Sequence, residues 1–521
     1  MLLRTLLALA LTVSTVSAAD YDLIIRNARI VDGAGASWYR GDLAVRGDTI
    51  AAIDRHIAGT ATRTIDAGDH VLAPGFIDLH THARRGIFEV PTADNYIRQG
   101  VTTIFEGPDG SSPIPLRDFF AKLDQTKTAP NMASFIGQGS VREKVIGTAD
   151  RQATAEEIEK MKALVREGMR DGAFGLSTGL YYVPGTFTPT EEVIALAAVA
   201  GEMGGIHISH QRDETAKIRD SVRETIRIGE EGHLPTQATH MKVLGAPNWG
   251  ASADTIRLVD EARARGVDVT MDQYPYTASS TSLQAALLPA WSLEGGREDL
   301  LKRIDDAASR AKIRATVVDR IQNERGGGDP KNIQIASTDF DASLAGKTLA
   351  DVTRSRGLEP TIENAADVAI DLIRRGRVQG IFHAMSEDDV IRILRHPATM
   401  IASDGEVPVF GKNSPHPRSY GTFVRVLGVY VREKQVLTLE DAVRKMTSLP
   451  AGRVGLRDRG LLRPGMKADL VIFDPATVAD RATYANPHQY AVGVSHVVVN
   501  GVLVVDEGKV TGARPGRVLR H

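Results

Sequence analysis

Eight short apolar runs, each followed by residues at helical spacing, restrict the fold of this chain more than any other feature. The first is Ala73-Pro-Gly-Phe-Ile-Asp-Leu-His-Thr-His82, and the others open at Val101, Met132, Ala173, Gly205, Pro235, Val267 and Thr399. Helical segments lie between them. One opens with the capping-box pattern Thr154-Ala-Glu-Glu157 and continues with Ile158, Met161, Leu164, Val165 and Met169 on one face. Strands alternating with helices build a parallel sheet, and eight such units predict an α/β fold, a (β/α)8 TIM barrel, over residues 73–454. The interval before the eighth run is too long for one crossover helix, so an inserted subdomain is expected at about 290–380, in a position to cover the barrel mouth.

The chain ends have a different texture. Residues 20–72 carry short alternating runs punctuated by Gly33, Gly35, Gly47 and Asp48, the pattern of a small antiparallel sheet. Residues 455–521 repeat it, with Asn500-Gly501 as a hairpin turn. Together they predict a small β-sandwich domain built from both ends.

Residues 1–18 combine one positive charge, a short apolar core and the small-residue site Val16-Ser17-Ala18, as signal peptides do. No later run is long and apolar enough to span a bilayer, so no stable membrane anchor is expected and the predicted location is periplasmic or secreted. The 521 residues include no cysteine, so disulfides play no part. A formal net charge of −2 supplies no global field for nucleic acid.

Polar residues stand where the apolar runs end. His80 and His82 follow the first, Asp109 lies just past the second, His210 and His240 end the fifth and sixth, and Asp404 ends the eighth. Residues two apart on a strand share a face, so His80 and His82 can reach one ion. Four imidazoles and two carboxylates on one barrel face predict a divalent metal site. Lys242, two residues beyond His240, would share that face if the strand continued. Tyr274 and Ser280 flank the end of the seventh run, and His383 lies near the mouth with no assigned role.

Several longer motifs go further: Gly75-Phe-Ile-Asp-Leu-His-Thr-His82, Gly175-Leu-Ser-Thr-Gly-Leu180, Ser209-His-Gln-Arg-Asp-Glu214, Tyr274-Pro-Tyr276, Ser403-Asp-Gly405 and His416-Pro-Arg418. Through them the chain resembles the amidohydrolase superfamily and, within it, the D-aminoacylase (N-acyl-D-amino-acid deacylase) branch. The resemblance implies one metal held by His80, His82 and Asp404 and a second held by His210 and His240. Zinc is the expected ion, one or two per chain, with manganese or cobalt as alternatives. The family's bridging ligand is typically a cysteine in a Gly-Asn-Cys-Gly turn. Here that turn reads Gly107-Pro-Asp-Gly110, which puts Asp109 in the thiolate's place, with Glu106 as second choice. By the same resemblance Lys242, Tyr274 and Ser280 would bind a substrate α-carboxylate, and Arg418 would lie near the substrate's side chain or carboxylate.

The implied reaction is metal-dependent hydrolysis of a linear amide, with Asp404 moving the proton and an N-acyl-D-amino acid or short peptide as the small-molecule partner. A dipeptidase or a cyclic amidase is the alternative enzyme, and a non-catalytic periplasmic binding protein is the alternative of another class. Cyclic amidases of this superfamily resemble a pattern with a carboxylated lysine at strand four, where this chain reads Leu176-Ser-Thr-Gly.

Overall fold

The computed structural model describes residues 19–521, so the segment read as a signal peptide lies outside it. All eight apolar runs form strands: β1 (Phe76–Asp78), β2 (Val101–Glu106), β3 (Asn131–Ser134), β4 (Gly175–Gly179), β5 (Ile206–His210), β6 (Thr236–Ala238), β7 (Val269–Gln273) and β8 (Thr399–Ile401). Every residue in them is buried, which is why they read as continuous apolar or small-residue runs rather than alternating ones.

Pairing follows chain order and is parallel throughout. β1, β2 and β3 form one sheet; the chain of β3 resumes as Ile136–Gly137, which pairs with β4, and β4 to β8 then pair in sequence. Just beyond β1 and β8, Thr81 bridges Gly405 in parallel. There the Asp404 N–H donates to the His80 carbonyl at 2.8 Å and the His82 N–H to the Gly405 carbonyl at 2.7 Å.

The helix Ala155–Asp171 starts on the expected capping box, with Thr154 and Glu157 exchanging side chain-to-backbone hydrogen bonds. It buries Met161, Val165 and Met169 and stops where Gly172 takes φ 112°.

Between β7 and β8 the chain builds an antiparallel three-stranded sheet from Ser279–Ser282, Val378–Phe382 and Ile333–Thr338, in that spatial order. The helices Ala307–Asn323 and Ile362–Arg375 share a separate apolar core with it, running from Leu283 to Phe382.

The two chain ends meet in one nine-stranded sheet, joined where Val71–Pro74 pairs antiparallel with Leu470–Phe473. The expectation of a purely antiparallel sheet needs correction. Tyr21–Ile30 is antiparallel to Tyr39–Arg46 but parallel to Ala61–Asp66 over its first part and to Val71–Pro74 over its last residues. A bulge between Ile25 and Ala28, with Asn27 at φ 58°, lets this long strand serve two partners on one side. Asn500 and Gly501 form the expected hairpin turn, both with positive φ.

Candidate metal centre

Past the C-terminal strand ends, side chains distant in sequence converge in two groups that share one residue. His80, His82, Asp109 and Asp404 form the first, and Asp109, His210 and His240 the second. Asp109 Oδ1 lies 3.3 Å from His80 Nε2, 3.6 Å from His210 Nδ1 and 3.4 Å from His240 Nε2, while its Oδ2 lies 3.4 Å from His82 Nε2. Asp404 Oδ1 is 3.1 Å from His82 Nε2 and 3.5 Å from His80 Nε2. Both nitrogens of His80 and Oδ1 of Asp109 are buried without a hydrogen-bond partner among the described residues, which costs stability unless something else engages them. Imidazole and carboxylate donors in this number suit zinc, so the residues fit the ion.

The positions are strained as well as polar. Asp109, His240 and Asp404 hold φ of 55°, 35° and 51°, the left-handed region that side chains other than glycine rarely adopt. Glu106 is placed differently: its carboxylate accepts the Arg84 N–H at 2.7 Å, and it belongs to neither group.

Comparison with known proteins identifies the family. The amidohydrolase family model matches residues 63–505. The chain belongs to the amidohydrolase family. It is 37% identical to the D-aminoacylase of Alcaligenes xylosoxydans xylosoxydans, over 96% of this chain and 97% of that one. It is 35% identical to the N-acyl-D-glutamate deacylase of the same organism, over 96% of each chain. Among solved structures, the N-acyl-D-glutamate deacylase of Bordetella bronchiseptica, complexed with zinc and a phosphonate mimic of the tetrahedral intermediate, superposes with a TM-score of 0.83 at 35% identity, covering 96% of this chain and 100% of that chain.

In this amidohydrolase the two groups open on a cavity of about 650 Å³ whose walls include Lys242, Tyr274, Ser280, Arg325, Asp404 and Arg418. Arg418 is no solvated charge: it is 5% exposed, its guanidinium is 2.7 Å from Asp404 Oδ2, it donates to the Ser280 carbonyl at 3.3 Å and it stacks over the Tyr274 ring. Burial opposes ionisation of Asp404, but Arg418, followed by His80, His82 and His240, outweighs it and holds the carboxyl well below the usual carboxylate range. For His80 burial favours the neutral ring, yet the carboxylates of Asp109 and Asp404 push its pKa up to about 9.

The expected continuation of the sixth strand to Lys242 is not found. β6 ends at Ala238, and the positive φ at His240 turns the chain. Lys242 nevertheless stays beside His240, because its ammonium caps the His240 carbonyl at 2.9 Å and pairs with Glu214. His383 stands apart from the cavity wall, its ring edge-on to Tyr484.

Sequence reasoning passed over Asp78, Glu214, Asp272 and Arg325. Asp78 and Asp272 accept the backbone N–H groups of His80 and His240 at 3.1 and 2.6 Å, and Asp78 also accepts that of Ser403. Glu214, 1% exposed, sits among Lys242, Arg325, His210 and His240. Burial raises its pKa, but Lys242, the two imidazoles and Arg325 hold it down at about 2. Its only sequence signal is its place four residues after His210, within a motif read as family resemblance rather than as a contact.

Proposed function

We propose that this amidohydrolase hydrolyses the amide bond of N-acyl-D-amino acids, releasing a carboxylic acid and a D-amino acid. The observation that carries the reading is the pair of ligand groups sharing Asp109 at the floor of a cavity walled by cationic side chains. The deacylases it matches along nearly their full length support it. The scaffold is read as a closed (β/α)8 barrel with a β-sandwich from both chain ends and an insertion before β8. Support comes from eight parallel strands in chain order and the Thr81–Gly405 bridge between the first and last. The leader-like residues 1–18 support a periplasmic or secreted location.

His80, His82 and Asp404 would hold one zinc ion, His210 and His240 a second, with Asp109 between them. Zinc held there would supply Lewis acidity, which would lower the pKa of a water from about 15.7 toward about 7 and would polarise the scissile carbonyl. Asp404, kept ionised by Arg418, accepts a proton from the attacking water and delivers it to the departing nitrogen, which leaves as an amine because an amide anion is too basic. Tyr274, Ser280 and Lys242, on the cavity wall, would bind the substrate α-carboxylate, and Arg418 would lie near the substrate's side chain or carboxylate. Arg418 in addition fixes the carboxyl plane of Asp404 through Oδ2, leaving Oδ1 toward the imidazoles. A cyclic amidase is disfavoured by the absence of a lysine from β4.

Zinc-replete enzyme offered matched N-acyl-D- and N-acyl-L-amino acids, with products resolved by chiral amino-acid analysis, tests the reading. Release of D-amino acids alone is expected. Turnover confined to L-substrates, or to cyclic ureides, overturns it.

A further inference from the structure

We propose that Arg325 binds an anionic substrate side chain, so that the enzyme acts by preference on N-acylated acidic D-amino acids. The proposal rests on the deacylase reading given above.

Five arginines are buried among the described residues: Arg142, Arg325, Arg418, Arg453 and Arg459. Four of them use their guanidinium donors within the protein. Arg142 donates to Glu192 at 2.7 Å and Arg453 to Asp268 at 2.7 Å, Arg459 donates to Asp469 and Asn500, and Arg418 pairs with Asp404 and donates to the Ser280 carbonyl. Arg325 differs. It is 2% exposed, yet its guanidinium makes no hydrogen bond among the described residues and its Nε is buried without a partner. Its approach to Glu214 Oε2, at 3.8 Å, is too long for a hydrogen bond. An arginine cannot shed its charge, so burying one with unused donors costs stability unless a ligand engages them.

The backbone holds Arg325 in this place. It follows the helix Ala307–Asn323 of the insertion, and its N–H donates to the Arg320 carbonyl at 2.8 Å. The Gly328 N–H closes onto the Ile321 carbonyl at 3.1 Å, and the Asn332 amide onto the Gly326 carbonyl at 2.9 Å. From this turn the guanidinium lies over the Tyr181 ring, 4.9 Å from its centre, on the cavity wall.

Glu214 does not neutralise it. The Lys242 ammonium abuts Oε1 of that carboxylate while Arg325 approaches Oε2, so two cations share one anion. Flanking the same carboxylate, the two cations also stand close together. A substrate whose α-carboxylate is bound at Lys242 therefore extends its side chain, which leaves the same α-carbon, within reach of Arg325. The planar guanidinium fork matches a second carboxylate there, whereas an uncharged side chain would leave it desolvated and unpaired.

Zinc-replete full-length enzyme is offered N-acetyl-D-glutamate and N-acetyl-D-aspartate beside their uncharged isosteres, N-acetyl-D-glutamine and N-acetyl-D-asparagine. We expect kcat/KM to favour each acid over its amide by about 10–100-fold in the wild type, and Arg325→Met to abolish most of that ratio, chiefly through KM for the acids. The wild-type ratio needs no variant, so the test survives misfolding of Arg325→Met. Wild-type turnover of the amides equal to or faster than that of the acids overturns the proposal and leaves the deacylase reading intact. An equal loss on acids and amides in a folded Arg325→Met also overturns it, reducing Arg325 to a counter-ion of Glu214. No turnover of any of the four overturns the deacylase reading and the proposal with it.

Discussion

The two ends of the parallel strands bury polar side chains on opposite terms. At the N-terminal end of β3, Asn131, Arg459, Asp469 and Asn500 form a network whose oxygens are all engaged. Asp469 accepts from Arg459, from Asn131 at 3.0 Å and from the Asn500 N–H at 2.6 Å. Asn500 Oδ1 accepts twice from Arg459, and Asn131 Oδ1 accepts from the Asn500 amide at 2.7 Å and the Arg517 N–H at 3.0 Å. At the C-terminal end the ligand groups leave both nitrogens of His80 and an oxygen of Asp109 without partners among the described residues, on a backbone forced through positive φ at three positions. Burial of a network whose oxygens are all met locks the end sheet to the strands. Burial of an unsatisfied one is retained only where a ligand completes it.

Breaking the C-terminal end should cost function far more than fold. Asp404→Asn cannot carry the proton, and we expect kcat to fall by ~10²–10⁴-fold with the circular dichroism spectrum kept, measured by steady-state deacylation. Asp109→Ala removes the atom common to both groups. Elemental analysis should find less zinc per chain and no activity, whereas Glu106→Ala, whose carboxylate serves the Arg84 N–H, should keep most of its zinc. The reverse pattern would transfer the bridging role to Glu106.

Breaking the N-terminal end should do the opposite. Asp469→Asn leaves Arg459 buried without its carboxylate, and denaturant unfolding should register a loss of ~3–5 kcal/mol while kcat per folded molecule stays unchanged.

A smaller effect sharpens the comparison between the two ends, at His207 inside the strands. Its ring nitrogens meet Thr178 and Thr236 hydroxyls at 3.0 and 2.8 Å. Burial, followed by the charge of Arg453, lowers its pKa to about 3. The unfolded chain takes up this proton near pH ~6.5 and the folded chain only near 3, so His207's contribution to stability is lost as pH falls through that window. Between pH ~6.5 and ~5 the loss is about 2 kcal/mol, and urea titrations of His207→Gln should lack that component of the wild-type slope.

The residues of the ligand groups were legible because each terminates a buried strand or the turn just after it, where an ionisable side chain interrupts an apolar run. The motifs around them carried the family. Lys242 was placed correctly beside His240 but for the wrong reason: a turn at His240, not a continuing strand, brings it there. The engagement of Arg418 with Asp404 and of Lys242 with Glu214 was invisible, because an ion pair spanning different strands leaves no periodic trace in sequence.

By itself, then, the sequence determined the eight strands, the helix that begins at Thr154, the hairpin at Asn500-Gly501 and the identity of the residues gathered at the strand ends. These follow from local rules: burial on both faces, capping, and turn chemistry acting over a few residues. Only the tertiary structure decided that one long bulged strand would take two parallel partners, that Asp109 and not Glu106 would face both ligand groups, and that Glu214 would stand behind two imidazoles. Each of those depends on where strands far apart in the chain come to lie, and charges meeting there interact strongly because the surroundings exclude water.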